Sequence, residues 1–181
     1  MRVIAGSAGG IRLLAVSGRA TRATLDRVRE SLFAILAPRL VDARVLDLYA
    51  GTGALGLEAL SRGAASCLFV ESDEAALRVL RQNVERTRLG DRAKVHRGRL
   101  PQALGRLAGE GPFDLVLCDP PYAEAQWTSL LTSLRALLAD DFVIAWEHLS
   151  KSGPCLPPGY RLLRVAAYGQ TSVSFLGRGE D

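Results

Sequence analysis

The sequence predicts a Rossmann-like α/β fold. A mostly parallel, seven-stranded sheet is wound with helices, closed by a C-terminal antiparallel hairpin and preceded by a small N-terminal β-hairpin and helix. Three observations predict it. Short apolar runs alternate with helical stretches through the middle of the chain, the pattern of a doubly wound sheet. A glycine-rich turn follows the first of these runs and opens a helix. The last two apolar runs are joined only by Tyr168-Gly169-Gln170, too short for a crossover, so they must pair antiparallel.

Residues 2–16 run or alternate apolar around Gly9-Gly10 and read as a hairpin with its turn near Ser7–Gly10. Thr24 is placed to N-cap LDRVRESLFAIL, where Leu25, Val28, Leu32, Ile35 and Leu36 recur at helical spacing; Pro38 ends that helix. Strands follow at Arg44–Tyr49, Ser66–Val70, Lys94–His96, Phe113–Cys118 and Phe142–Trp146. Helices fall between them at Ala54–Ser61, Asp73–Leu89, Pro101–Ala108 and Glu124–Ala139. Tyr160–Ala167 and Thr171–Leu176 form the terminal hairpin. The chain divides into an extension over residues 1–40 and a main domain over 41–181.

A chain of 181 residues makes one compact domain and buries about 70% of its unfolded surface, so it needs no disulfide or metal to stay folded. With 48% hydrophobic and 23% charged residues, a disordered chain is excluded. No apolar run nears the ~20 residues of a membrane span and no secretory h-region opens the chain, which predicts a cytoplasmic protein without a membrane partner. Cys67, Cys118 and Cys155 are widely spaced and read as reduced thiols, and neither His96 nor His148 has zinc-ligand spacing, so no metal is expected. The charge is uneven. Residues 1–45 carry eight arginines against three carboxylates; the remainder carries 15 basic and 16 acidic residues, so the whole net charge of +4 lies in the first quarter. Arginine provides 21 of the 23 basic side chains and suits phosphate contacts, although a GC-rich coding sequence also raises arginine content.

Residues 45–57, VLDLYAGTGALGL, place Gly51, Gly53 and Gly56 in a G-x-G-x-x-G between strand and helix. Glu71 stands 20 residues after Gly51, at the end of the second strand. Glycines admit a nucleotide close to the backbone, and a carboxylate at that distance accepts from ribose hydroxyls. Asp47 argues against a pyrophosphate and for a cationic ligand such as S-adenosylmethionine, which carries an ammonium and a sulfonium; it could alternatively cap the helix that follows. Tyr49, Thr52 and Ser72 flank the same turns and join the candidate cofactor contacts.

A second motif follows the fourth strand. FDLVLCDPPY ends in Asp119-Pro120-Pro121-Tyr122, where two prolines stop the ladder and stiffen the turn at the ligand-binding edge of a parallel sheet. An exocyclic base amine is a poor nucleophile because its lone pair is delocalised into the ring. Asp119 and the Pro120 carbonyl can accept its two N–H bonds and free the lone pair, while Tyr122 stacks on the base. Alternatively, Asp-Pro-Pro is a structural turn. Pro154-Cys155 lies in a Pro-rich loop unsuited to a nucleophile, Cys118 and both tryptophans, Trp127 and Trp146, read as packing residues, and His96 and His148 read as surface or supporting residues.

The D-x-x-A-G-x-G run resembles motif I of S-adenosylmethionine-dependent methyltransferases, and D-P-P-Y resembles motif IV of enzymes that methylate exocyclic amines of nucleobases. The opening MRVIAGSAGGIRL, the segment TRATLDRVRESLF and the late Tyr168-Gly169-Gln170-Thr171 resemble the RsmD family, so the likeness covers nearly the whole chain. The resemblance implies a class I methyltransferase domain and methylation of a guanine N2 amine in small-subunit (16S) ribosomal RNA. It further implies direct attack by a flipped-out base; a monomer acting on ribosomal RNA within a small-subunit assembly particle is the accompanying expectation, which the sequence itself does not fix. It assigns Asp47, Gly51, Gly53 and Glu71 to the cofactor and Asp119, Pro120 and Tyr122 to the base. It places Arg22, Thr24, Arg27, Val28, Arg29 and Glu30 near the substrate and cofactor mouth, with Arg27 or Arg29 alternatively pairing with Asp26 or Glu30. The arginine-rich hairpin and helix, with Arg12, Arg19, Arg22, Thr24, Arg27 and Arg29, fit a platform that contacts RNA phosphates.

Two positions depart from the family pattern. Ala23 stands where the family usually has proline, and Arg99, which cannot accept a hydrogen bond, stands where related enzymes often place Asp or Asn against adenine. Adenine-N6 methylation of DNA or RNA is the nearest rival, since D-P-P-Y does not distinguish the two amines. A non-catalytic S-adenosylmethionine- or RNA-binding assembly factor would leave the second motif idle, and a nicotinamide oxidoreductase is disfavoured by Asp47.

Overall fold

The protein is described from a computed structural model that covers residues 1–16, 24–121, 127–153 and 155–180, with residues 24 and 25 as backbone. The elements of these residues are α1 (Thr24–Leu36), β1 (Arg44–Leu48), α2 (Ala54–Ser61), β2 (Ser66–Glu71), α3 (Glu74–Thr87), β3 (Ala93–Arg97), β4 (Phe113–Cys118), α4 (Trp127–Leu134), β5 (Leu138–Leu149), β6 (Tyr160–Tyr168) and β7 (Thr171–Arg178). They form a seven-stranded sheet in the order β3-β2-β1-β4-β5-β7-β6. β1 to β5 pair parallel; β7 pairs antiparallel with both β5 and β6. Strand order reverses between β1 and β4, which opens a crevice at their carboxyl ends.

Side-chain alternation along the buried strands feeds two cores. Val45, Phe69, Leu115 and Leu117 face α1, α2 and α3, meeting Phe33, Leu57, Leu60 and Leu80. Leu46, Val70, Val116 and Ile144 face the other way, onto Leu104, Leu130, Leu131 and Leu134. Burying both faces is what makes the strands near-continuous apolar runs. Trp146 and Trp127 stack with ring centroids 3.8 Å apart inside the second core, as packing residues.

Several elements depart from the sequence reading, each for a physical reason. The N-terminal hairpin closes on one antiparallel bridge, Arg2 to Arg12, rather than a ladder. Besides backbone bonds across the hairpin such as Val3 N–H to the Ile11 carbonyl, its backbone is held by side chains of the main domain: fully buried Glu58 accepts from the Ile4 and Ala5 N–H groups, and the Ser61 hydroxyl accepts from Ala8 N–H. Val3, Ala8 and Leu13 enter the first core, so the hairpin packs as part of the domain. The stretch expected as a helix over Pro101–Ala108 is a continuous 3-10 segment, Gln102–Leu107, which contains the weak helix former Gly105. α4 gives way to 3-10 turns after Leu134, because the chain enters β5 already at Leu138. His148, read as a surface or supporting residue, is buried rather than at the surface; its Nε2 and the Ser174 hydroxyl lie 2.8 Å apart. No helix of the described residues is long and apolar enough to cross a membrane.

Candidate active site

The sheet register brings the two motifs together. Leu48 pairs with Val70 on one side and Cys118 on the other, so Tyr49, Glu71 and Asp119 leave adjacent strand ends at one rim. The glycine loop then turns sharply. Tyr49 (φ 55°), Gly51 (φ 56°) and Gly53 (φ 83°) all take the left-handed conformation. That region strains a tyrosine, and such strain collects where a loop is shaped for a ligand. Gly53 carries a second demand: a Cβ there would lie 2.2 Å from Leu80 Cδ1.

Two carboxylates organise the loop. Asp47 is 1% exposed and its Oδ2 accepts from Gly56 N–H at 2.9 Å, which caps α2. Burial pushes its carboxyl up to about 8; the Gly56 bond lowers it, and Asp119 and then Glu71 raise it through charge repulsion. Glu71 accepts from Gly51 N–H at 2.8 Å with one oxygen, and from Ser72 and Asp73 N–H at 2.6 and 2.8 Å with the other. Three of its roughly four lone-pair sites are thus taken by backbone, leaving about one for an incoming hydroxyl.

Two cavities adjoin at this rim and share Tyr49, Gly51 and Asp119 as lining. One, of about 330 Å³, runs under α1 past Val28, Arg29, Asp47 and Glu147. The other, of about 570 Å³, is walled by Glu71, Ser72, Arg99, Leu100 and Pro121. The lining is compatible with S-adenosylmethionine: Glu71 in the larger space would hold its ribose, and Asp47 in the smaller would face its cationic methionine end. When bound it would supply an electrophilic methyl group.

The other sequence candidates are distributed as follows. Asp119 and Pro121 are exposed at the rim and Pro120 is buried behind them. Thr52 contributes its carbonyl to Asn83 Nδ2 at 2.9 Å, and Ser72 is exposed in the wall of the larger cavity. Arg12 and Arg27 are exposed. Tyr122, Arg19 and Arg22 lie outside the described residues, and Thr24 begins α1 with its side chain outside them. Arg29 takes the alternative of the sequence reading, the pair with Asp26: it is 3% exposed, which removes it from the exposed face where RNA contacts were expected. Its Nη2 donates to the Arg2 carbonyl and to Asp26 Oδ1, the latter at 2.9 Å. Burial lowers its pKa, while Glu58 and Asp26 act the other way.

Sequence reasoning missed three supports. Asn83, fully buried, accepts from Leu14 N–H at 2.7 Å and donates to the Leu14 carbonyl at 3.1 Å, while also holding Thr52, so one side chain joins the N-terminal arm to the glycine loop. Its signal was a polar residue in the buried stripe Ala76, Leu80, Asn83 and Thr87. Tyr168 and Ser31 hydroxyls, 2.7 Å apart, tie the terminal hairpin to α1; no sequence pattern pointed to that contact. Glu147, at the end of β5, lines the smaller cavity and was hidden in an apolar run.

Residues 1–177 match the family model described as Conserved hypothetical protein 95. The Bacillus subtilis protein YlbH is 38% identical over 178 residues, spanning 96% of this chain and 97% of its own. Ribosomal RNA small subunit methyltransferase D of Escherichia coli K12 is 37% identical over 182 residues, spanning 98% of this chain and 90% of its own. The solved structure of the Escherichia coli protein yhhF superposes with a TM-score of 0.84 at 35% identity, covering 100% of this chain and 99% of that one. With the family model spanning the chain from its first residue almost to its last, this protein belongs to the Conserved hypothetical protein 95 family, of the ribosomal RNA small subunit methyltransferase D type.

Proposed function

We propose that the protein transfers the methyl group of S-adenosylmethionine to the exocyclic N2 amine of a guanine in small-subunit ribosomal RNA. The observation that carries the reading is the register that sets Asp119 on the strand next to the glycine loop, with both motifs lining the same two cavities. Asp119 and the Pro120 carbonyl accept the amine's N–H bonds, hold its nitrogen toward the methyl donor and stabilise positive charge as it develops there. Tyr122 stacks on the flipped base, and a carboxylate already in place can take the proton that leaves the methylated nitrogen. The excess arginine of residues 1–40 forms the surface on which RNA phosphates rest, and the protein works as a cytoplasmic monomer on an assembling subunit particle. Tritium transfer from labelled cofactor to free ribosomal RNA, small-subunit particles and DNA, followed by nucleoside mass spectrometry, tests this. N2-methylguanosine from the ribosomal substrates is expected; label only in N6-methyladenosine or only in DNA would select the rival reading.

Replacing Arg12, Arg19 and Arg22 together with alanine should weaken RNA binding and flatten its dependence on log salt by about two to three units, near one for each phosphate no longer neutralised. Filter binding across a range of salt concentrations reads the slope, and an unchanged slope would remove these residues from the RNA surface.

A pH dependence follows from Asp47. With its carboxyl pushed up to about 8, it is largely neutral at pH 7 in the free protein. A sulfonium and an ammonium entering beside it favour the ionised form, so binding releases a proton and cofactor affinity rises with pH until about pH 8, by at most tenfold per unit. In the free protein the sign for stability is opposite. The folded value lies above the unfolded one, so Asp47's contribution is full below the ordinary carboxylate range and lost as pH rises through about 8. Calorimetric titration with S-adenosylmethionine at pH 7 in phosphate and in Tris should give different heats; equal heats would show that no proton leaves.

A further inference from the structure

The smaller cavity holds a charge the reaction itself does not require. Its described lining includes the carboxylates Asp47, Asp119 and Glu147 and one basic side chain, Arg29. Arg29 is nine-tenths or more buried, and of its three guanidinium nitrogens only Nη2 is engaged, by Arg2 and Asp26. Nε and Nη1 are buried and meet no hydrogen-bond acceptor among the described residues. A guanidinium left part-paired away from water is costly to fold around unless a partner arrives. Aspartate or glutamate from the surroundings does not fill the role: Asp26 already takes Nη2, and Glu58 is committed to Arg62 and to the backbone of Ile4 and Ala5.

The partner must be an anion small enough to reach a residue that RNA cannot. A phosphate of a polynucleotide backbone does not reach a side chain 3% exposed under α1. The methionine end of S-adenosylmethionine carries one carboxylate besides its two cationic groups, and the cavity offers three carboxylates and one guanidinium to match. We infer that Arg29 is the residue that binds the cofactor's carboxylate, held ready by the Arg2 carbonyl and Asp26. The inference rests on the cofactor reading proposed for this site. It gives the buried arginine of the VRES segment a binding role, and it ties the cofactor to the N-terminal hairpin through Arg2, so that the arm bearing the RNA-facing arginines and the cofactor share one side chain.

The test uses calorimetric binding, without turnover. S-adenosylhomocysteine and its decarboxylated analogue, which keeps the ammonium and loses only the carboxylate, are titrated into wild type, Arg29→Lys and Arg29→Met. Wild type is expected to bind S-adenosylhomocysteine about 30-fold more tightly than the analogue, as one charge-assisted hydrogen bond implies. In Arg29→Met that preference should shrink to within about twofold while the analogue's affinity stays near wild type, and Arg29→Lys should fall between. Equal losses for both ligands in the variants would make Arg29 purely structural and overturn the inference. If neither variant folds, the wild-type comparison decides, because equal affinity for the two ligands would also overturn it. Failure of wild type to bind either ligand would instead overturn the cofactor reading on which it stands.

Discussion

Asp119→Ala should lower the rate of methyl transfer by at least about 10²–10³-fold, the range seen when one group aimed at developing charge is removed, and leave S-adenosylhomocysteine affinity within about tenfold of wild type. The asymmetry comes from position. Asp119 is exposed at the rim, one residue beyond the Cys118–Leu48 pair, whereas the glycine loop, the proposed cofactor site, is shaped by Asp47, Glu71 and the glycines. Asp119→Asn keeps an acceptor oxygen without the charge and should fall between the two. Single-turnover kinetics with saturating RNA separates the chemical step from binding. Turnover retained in Asp119→Ala would take the residue out of the mechanism.

Glu71→Gln should cut cofactor affinity about 100-fold and lower Tm by about 5–10 °C, the latter from about 2–3 kcal/mol of lost stability. The substitution is nearly isosteric, so the effect lies in its hydrogen bonds. One carboxylate oxygen faces Gly51 N–H and the other faces Ser72 and Asp73 N–H. Whichever way the amide of glutamine turns, its NH2 opposes a backbone donor. The loop then loses the acceptor that orders it, and under the proposed function the ribose would lose a charged partner. Melting curves and calorimetry read the two effects separately. An unchanged Tm would show that Glu71 does not order the loop.

Much of the site was legible because it depends on backbone rules that leave marks in sequence. The glycine loop needs residues free to adopt positive φ, and Gly51 and Gly53 occupy such positions; the Asp-Pro-Pro run must end a strand, and β4 ends at Cys118. α2 and β4 occupy the expected residues because glycine and proline punctuate them. β5 is longer than its apolar core suggests, since Asp140 and Asp141 lie exposed near its start, where polar side chains do not break a strand. The Arg29–Asp26 pair was legible as an alternative, but the burial of Arg29 was not: arginine reads as surface, yet position 29 lies one turn before Leu32 and Phe33 and two before Leu36 on the buried stripe of α1. Pairings between distant segments, such as Glu58 with Ile4 and Tyr168 with Ser31, have no local signature, because they arise only when the sheet is wound.

Methyl transfer at this rim requires one geometric relation, a cofactor whose methyl-bearing sulfur faces Asp119 across the gap between β1 and β4. A crystal structure with S-adenosylhomocysteine bound measures it. The ribose is predicted within hydrogen-bond distance of Glu71, with the sulfur open to the space in front of Asp119. A ligand whose sulfur turned away from that space, or one seated outside the two cavities, would contradict it.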